Sequence, residues 1–199
     1  MTATSQIFFG PMGAGKSLAL LKIAEANRMK NILAFKPRRD CRDGAWIKSR
    51  GFVSEFPAHL VDSGHELISY TMRRADENWV DLVLVDELHL FQEPTAMHIG
   101  YYLAGKNIPV YAAGLDLDFR GQPFPVSPDL DMVKIIASYQ VQTPVWAKCH
   151  ECQGPATHTQ RLIAGEPAPS SAPLILVGGD DVYQARCQNC HEVKEPICV

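Results

Sequence analysis

The stretch Ile7-Phe8-Phe9-Gly10-Pro11-Met12-Gly13-Ala14-Gly15-Lys16-Ser17-Leu18-Ala19-Leu20-Leu21 reads as a short apolar strand, a glycine-rich loop and the opening of a helix. Its centre matches the phosphate-binding pattern of glycine, four residues, glycine, lysine and serine, in the strand-loop-helix setting the pattern requires. The glycines let successive backbone N–H groups from Gly10 through Met12, Gly13, Ala14 and Gly15 turn inward around a phosphate chain. Lys16 can bridge the outer phosphates, and the Ser17 hydroxyl can ligate the Mg²⁺ that accompanies a nucleotide. The helix N-terminus adds partial positive charge at the same place. These residues imply a site for a nucleoside triphosphate.

Working outward, residues 6–9 and 31–36 read as strands, 17–29 as a helix, and the polar, basic stretch 37–50 as a loop. A helix is expected over 65–74. The continuous apolar run 81–85 has the character of a buried strand in the middle of a parallel sheet. A helix over 93–105, a strand over 109–113, a loop over 114–128 and a helix over 129–138 follow. Alternation of apolar β runs with helical patterns is the signature of a parallel sheet covered by helices on both faces. After Val141 the character changes, with β-like runs at 156–163 and 174–177 flanking a stretch too rich in Pro, Ala and Ser for a regular element. Two units are expected: a nucleotide-binding α/β unit over 1–140, and a small metal-stapled β unit over 141–199 carrying a long lasso loop.

The formal net charge of −3 argues against a protein that coats nucleic-acid phosphates, which needs a basic face. No apolar run approaches the roughly 20 residues needed to cross a membrane. The N-terminus lacks the segments of a signal peptide, so a cytoplasmic protein is expected. Six cysteines fit a reducing compartment, because four of them form two Cys-x-x-Cys pairs. Cys149, Cys152, Cys187 and Cys190 suit structural Zn²⁺, four-coordinate and without an open position. Cys198, His150 or His191 could replace one thiolate.

Two further constellations carry chemistry. Asp86-Glu87 ends the apolar run, where an aspartate can serve Mg²⁺ and the adjacent glutamate can take a proton from an attacking hydroxyl or water. The loop from Gly114 to Phe124 sets Leu115, Phe119 and Phe124 among charges. It suits either a flat apolar ligand such as a nucleobase or simple packing on the core. A P-loop ATPase or a nucleotide-sensing switch with a zinc-bearing interaction module is the rival reading of these parts.

Residues 10–17, Val85-Asp86-Glu87, residues 113–124, Cys149 to Cys152, Gly154-Pro155-Ala156-Thr157-His158-Thr159-Gln160-Arg161-Leu162 and Val177-Gly178-Gly179-Asp180-Asp181-Val182-Tyr183 together resemble the type II thymidine kinases. The blocks are collinear over nearly the whole chain. The resemblance implies a P-loop (RecA-like) sheet and transfer of phosphate from ATP to the 5′-hydroxyl of thymidine or deoxyuridine. It also implies a homotetramer inhibited by thymidine triphosphate. By the same resemblance Glu87 is the base and Asp86 serves Mg²⁺. Arg42, in Asp40-Cys41-Arg42, neutralises phosphate charge. Leu115, Phe119 and Phe124 wall the thymine pocket, Thr159 and Tyr183 lie against base or sugar, and the backbone from Ile175 through Val177, Gly178 and Gly179 bonds the base. Three positions depart from the family pattern. His89 stands for a glutamine, Leu90 for an aromatic, and Gly13 for a phenylalanine. If His89 contacts the site, an ordinary imidazole pKa predicts activity rising between about pH 5.5 and 7.5.

Overall fold

The computed structural model describes residues 3–40, 42–49, 53–175 and 182–195. Six strands form one parallel sheet: β1 (Ser5–Phe9), β2 (Ile32–Pro37), β3 (His59–Val61), β4 (Leu82–Val85), β5 (Val110–Gly114) and β6 (Val141–Pro144). They lie in the order β6-β1-β5-β4-β2-β3. Parallel neighbours need crossovers, and helices supply them except between β2 and β3, whose connection holds only a short antiparallel strand pair. Helix α1 (Lys16–Ala26) follows β1, α2 (Gly64–Asp76) precedes β4, α3 (His98–Gly105) precedes β5, and α4 (Met132–Ala137) precedes β6.

The two-residue period of a strand divides the core between the sheet's faces. Ile32 and Ala34 of β2, with Leu82 and Leu84 of β4, pack against Leu20, Leu21 and Ala24 of α1. Leu33, Phe35, Val83 and Val85 point the other way, onto Leu67 of α2, Ile99 and Leu103 of α3 and Ile135 of α4. Both faces of β4 are therefore covered, which is why its sequence is apolar without alternation. Truncating a side chain such as Leu84, fully buried here, to alanine costs about 2–5 kcal/mol.

Local chemistry shifts several expected boundaries. Helix α2 starts at Gly64 because the Ser63 hydroxyl caps it, accepting from the Glu66 N–H at 3.1 Å. The helix expected from residue 93 opens as a 3₁₀ turn, Pro94–Met97, with the Glu93 carboxylate accepting from the Thr95 N–H at 2.9 Å. Helix α4 starts at Met132, three residues later than expected, capped by Asp131. The expected loop 37–50 contains a short strand, Trp46–Ile47, paired antiparallel with Phe56–Pro57. Within 114–128, Pro125–Ser127 pairs with Leu130–Asp131.

The change of character at Val141 does not coincide with the end of the sheet. Strand β6 extends the sheet alongside β1, and the Gln6 amide donates to the Thr143 hydroxyl at 2.9 Å. The sheet thus runs four residues past the expected division at 140. Beyond it, Ala147–Lys148 pairs with Pro155–Ala156, and β7 (His158–Ile163) pairs antiparallel with β8 (Tyr183–Arg186). The β-like run expected at 174–177 forms no strand at Leu174 and Ile175, and its remaining residues lie outside the described ones. No described helix is long and apolar enough to cross a membrane.

Candidate active site

The glycine-rich loop leaves the C-terminal end of β1, at the carboxyl edge of the sheet. Gly10 has φ +143°, and a Cβ there would lie 2.1 Å from the Val145 carbonyl oxygen, so only glycine fits. Gly15, at φ +83°, sits just before α1. Gly13 has open space around its Cβ direction but sits at φ +74°, which disfavours a residue with a side chain. The Lys16 ammonium is buried and donates to the carbonyls of Gly10 at 3.0 Å and Pro11 at 2.7 Å. Burial lowers its pKa, against the pull of Glu87, Asp86 and Asp116.

Asp86 follows β4, and its Oδ1 accepts from the Ser17 hydroxyl at 3.1 Å and the Glu87 N–H at 3.0 Å. The strand end thereby brings an aspartate onto the P-loop serine. Burial and the neighbouring Glu87 push the Asp86 carboxyl up to about 7. A hard cation would relieve that cost, and a hydroxyl beside a carboxylate is the all-oxygen donor set that suits Mg²⁺.

Glu87 has φ +51°, a left-handed conformation uncommon for a residue with a side chain. It turns the chain just beyond β4, and its side chain lines the cavity. Its Oε1 accepts from an Arg42 terminal nitrogen at 2.6 Å, and its Oε2 lies 3.5 Å from His89 Nδ1. Burial pushes Glu87 up, but His89, Arg42 and Lys16 together bring it below the ordinary glutamate value. His89 is itself depressed to about 4, chiefly by burial, so at neutral pH the cations that face Glu87 are Arg42 and Lys16. His89 Nδ1 accepts from the Leu115 N–H at 3.2 Å, so its proton sits on Nε2, and the ring packs edge-on to Phe124. His89 is thus a neutral part of the site. The imidazole inflection expected between pH 5.5 and 7.5 is corrected by its burial.

These groups line one cavity of about 790 Å³. Met12, Gly13, Gly15, Lys16, Ser17, Arg42, Asp86 and Glu87 form one side, and Leu115, Phe119, Phe124, Thr159, Ile175 and Tyr183 the other. The loop 114–124 therefore does both things left open by its sequence. Leu115, Phe119 and Phe124 are buried and also face the cavity. The Thr159 hydroxyl accepts from the Met12 N–H at 3.0 Å, tying β7 to the P-loop. Gly10 and Ala14 shape the loop without lining the cavity. Val177, Gly178 and Gly179 lie outside the described residues.

Sequence reasoning missed what holds the second side in place. Arg120 stacks on Phe119 at 4.8 Å and donates to the carbonyls of Ser170 at 2.8 Å and Ala172 at 2.9 Å. Arg161 approaches the same ring at 5.3 Å and donates to the Pro173 carbonyl. Two guanidiniums thus anchor the base of the Pro-rich loop, from which Leu174 and Ile175 enter the cavity. Asp116, with Oδ1 lacking a hydrogen-bond partner among the described residues, was also missed. The arginines gave no periodic signal, because their partners are backbone carbonyls distant in sequence.

The sulfurs of Cys149, Cys152, Cys187 and Cys190 lie within 4.8 Å of one another. Four thiolates so gathered could hold a tetrahedral Zn²⁺, with bonds of about 2.3 Å. Turns bring each pair together, with the Cys190 and His191 N–H groups donating to the Cys187 carbonyl at 3.1 and 3.0 Å. His191 is not in the sulfur cluster. Its Nε2 lies 2.9 Å from the Phe119 carbonyl oxygen, linking the cluster to the cavity wall. Cys198 lies outside the described residues.

The family model described as thymidine kinase matches residues 3–191. A thymidine kinase of Roseiflexus sp. is 37% identical over 193 residues, covering 94% of each chain. One from Roseiflexus castenholzii is 36% identical over 193 residues, 94% of this chain and 93% of that one. One from Chloroflexus aurantiacus is 34% identical over 191 residues, with the same shares covered. The structure of the Legionella pneumophila ATPase DotB covers 69% of this chain and 35% of that one, at 15% identity and a TM-score of 0.38, too loose a likeness to carry an argument. With a P-loop, a paired Asp-Glu and a four-cysteine cluster in one collinear match over nearly its full length, the chain belongs to the thymidine kinase family.

Proposed function

We propose that this protein transfers the terminal phosphoryl group of ATP to the 5′-hydroxyl of thymidine, with deoxyuridine as a second substrate. The observation that carries the reading is Glu87. Its carboxylate, kept ionised by Arg42 and Lys16, faces the same cavity as the P-loop and the Leu115, Phe119 and Phe124 wall. Nucleoside and triphosphate are then held with their reacting groups together, which removes much of the entropic barrier.

In this reading the loop N–H groups and Lys16 bind the β- and γ-phosphates, and Ser17 and Asp86 would hold Mg²⁺. Bound there, the ion supplies charge neutralisation across the phosphates. Glu87 accepts the 5′-hydroxyl proton as the nucleoside oxygen bonds to the γ-phosphorus and the bond from phosphorus to the bridging oxygen breaks. Arg42, held beside Glu87 in the same cavity, neutralises part of the phosphate charge that builds in the transition state. The neutral His89 and the smaller Leu90 shape the wall beside the sugar. The backbone of Val177, Gly178 and Gly179 bonds the base, and Thr159 and Tyr183 lie against base or sugar. Structural zinc at the four cysteines, a homotetramer, feedback inhibition by thymidine triphosphate and a cytoplasmic location complete the proposal by likeness to the family.

Transfer of labelled γ-phosphate across the common nucleosides tests this directly. Label should appear in thymidine monophosphate, and ATP consumption should require added nucleoside. Steady ATP hydrolysis without nucleoside would favour the ATPase reading instead.

A further inference from the structure

Strand β2 carries, as its last residue but one, a lysine that a buried parallel strand does not call for. By the strand period Lys36 shares a face with Ile32 and Ala34, which pack under α1. Lys36 is 1% exposed, and a lone ammonium at such a position is costly. Its Nζ forms a 3.0 Å ion pair with Asp40 Oδ2, itself 2% exposed, and donates to the Trp46 carbonyl at 3.1 Å. The other Asp40 oxygen accepts from Arg42 Nε at 2.7 Å. The terminal nitrogen of the same guanidinium donates to Glu87 Oε1 at 2.6 Å. Four alternating charges therefore run from inside the sheet to the carboxylate in the cavity.

Stability alone does not explain the chain. Replacing a buried ion pair with apolar side chains of similar volume is often neutral, or stabilising by about 1–4 kcal/mol. Geometry does explain it. Arg42 is long and rotatable, and without a second contact its fork would sample many positions. Asp40 grips one edge of the guanidinium so that the other meets Glu87. Lys36, by taking the second Asp40 oxygen, fixes the rotation of that carboxylate.

We propose that Lys36 is a positioning residue for phosphoryl transfer, acting through Asp40 and Arg42 to orient the Glu87 carboxylate. The inference rests on the reading of Glu87 as the base. The proposed role is geometric, and no proton moves along the chain.

A double-mutant cycle on kcat tests it. Lys36→Met should lower kcat roughly 10- to 100-fold, the scale of a misplaced reacting group. KM for ATP and thymidine should stay within about threefold, since neither substrate touches Lys36. Arg42→Gln also lowers kcat, and the double variant should lie within about threefold of Arg42→Gln alone, because the group through which Lys36 acts is gone. A role confined to stability would lower Tm in both backgrounds and leave the kcat losses multiplicative. Multiplicative losses, or Lys36→Met with kcat within about twofold of the parent, overturn the proposal. If Lys36→Met does not fold, Lys36→Gln, whose amide still donates to Asp40, carries the same cycle with a smaller loss. Glu87→Gln measured alongside separates the two ideas. Full kcat in that variant sinks the base, whereas the Lys36–Arg42 coupling is read from the cycle alone.

Discussion

The two sides of the cavity are built by different means. The side proposed for the phosphates rests on the sheet: the P-loop joins β1 to α1, and Asp86 and Glu87 follow β4, one strand removed from β1 across β5. Its donors are loop backbone groups and the side chains of Lys16 and Ser17, positioned just beyond β1, beside the fully buried β4. The side proposed for the nucleoside is assembled from a loop after β5, from β7 and β8, and from the Pro-rich loop. Side chains tie these pieces together, through Arg120, Arg161 and His191. Fixed backbone suits the phosphate chain, which is common to every ATP-using enzyme. Loops held by exchangeable side-chain ties suit recognition, and they open at lower cost than core strands.

The contrast can be broken most forcefully on the phosphate side. Lys16→Ala should lower kcat/KM by roughly 10³-fold, raising KM for ATP and lowering kcat together, because the ammonium meets phosphate charge in both ground and transition states. Steady-state kinetics with ATP varied checks this, and an effect on thymidine KM alone would erase the distinction between the sides.

Next in size is removal of the metal from the sulfur cluster. Stripping zinc should raise thymidine KM by about tenfold, a loss of about 1.4 kcal/mol, with little change in binding of an ATP analogue. The route is His191 to the Phe119 carbonyl. Metal analysis should give one zinc per chain, and titrations before and after chelation read the two affinities. Equal loss of both would show that the cluster supports the whole fold.

A third effect, on stability rather than on activity, concerns His89, which sits where the two sides meet. Its folded pKa of about 4 lies below the ordinary imidazole value, so the unfolded chain takes up the proton first. Its contribution is fully present above about pH 6.5 and is lost as pH falls toward 4, roughly 2 kcal/mol by pH 5. His89→Gln removes this component, so its Tm should fall less steeply than the parent's on acidification. The parent's kcat/KM should show no imidazole limb between about pH 5.5 and 7.5. Parallel Tm profiles, or such a limb lost in the variant, would place a charged His89 in the site.

The same division explains what the sequence made legible. The P-loop, Asp86-Glu87 and the Cys-x-x-Cys pairs are local patterns whose spacing is the chemistry, so they could be read directly. The central strands were visible because β4 is covered on both faces and apolar throughout. Strand β6 was not, since Val141–Pro144 is an exposed edge strand without an apolar run. The reach of Arg42 to Glu87, 45 residues on, and the arginine ties to Ser170, Ala172 and Pro173 join residues far apart in sequence. No periodicity encodes such contacts. The neutrality of His89 likewise follows from burial by Phe124 and the Leu115 backbone, which its own neighbours in sequence do not reveal.

The central claim is that Glu87 takes the proton from the nucleoside. Single-turnover transfer of labelled phosphate to thymidine by Glu87→Gln, at saturating ATP and nucleoside, tests it most directly. The account predicts unchanged fold and ATP affinity with the chemical step slowed by at least about 10²-fold. A transfer rate close to the parent's would contradict it.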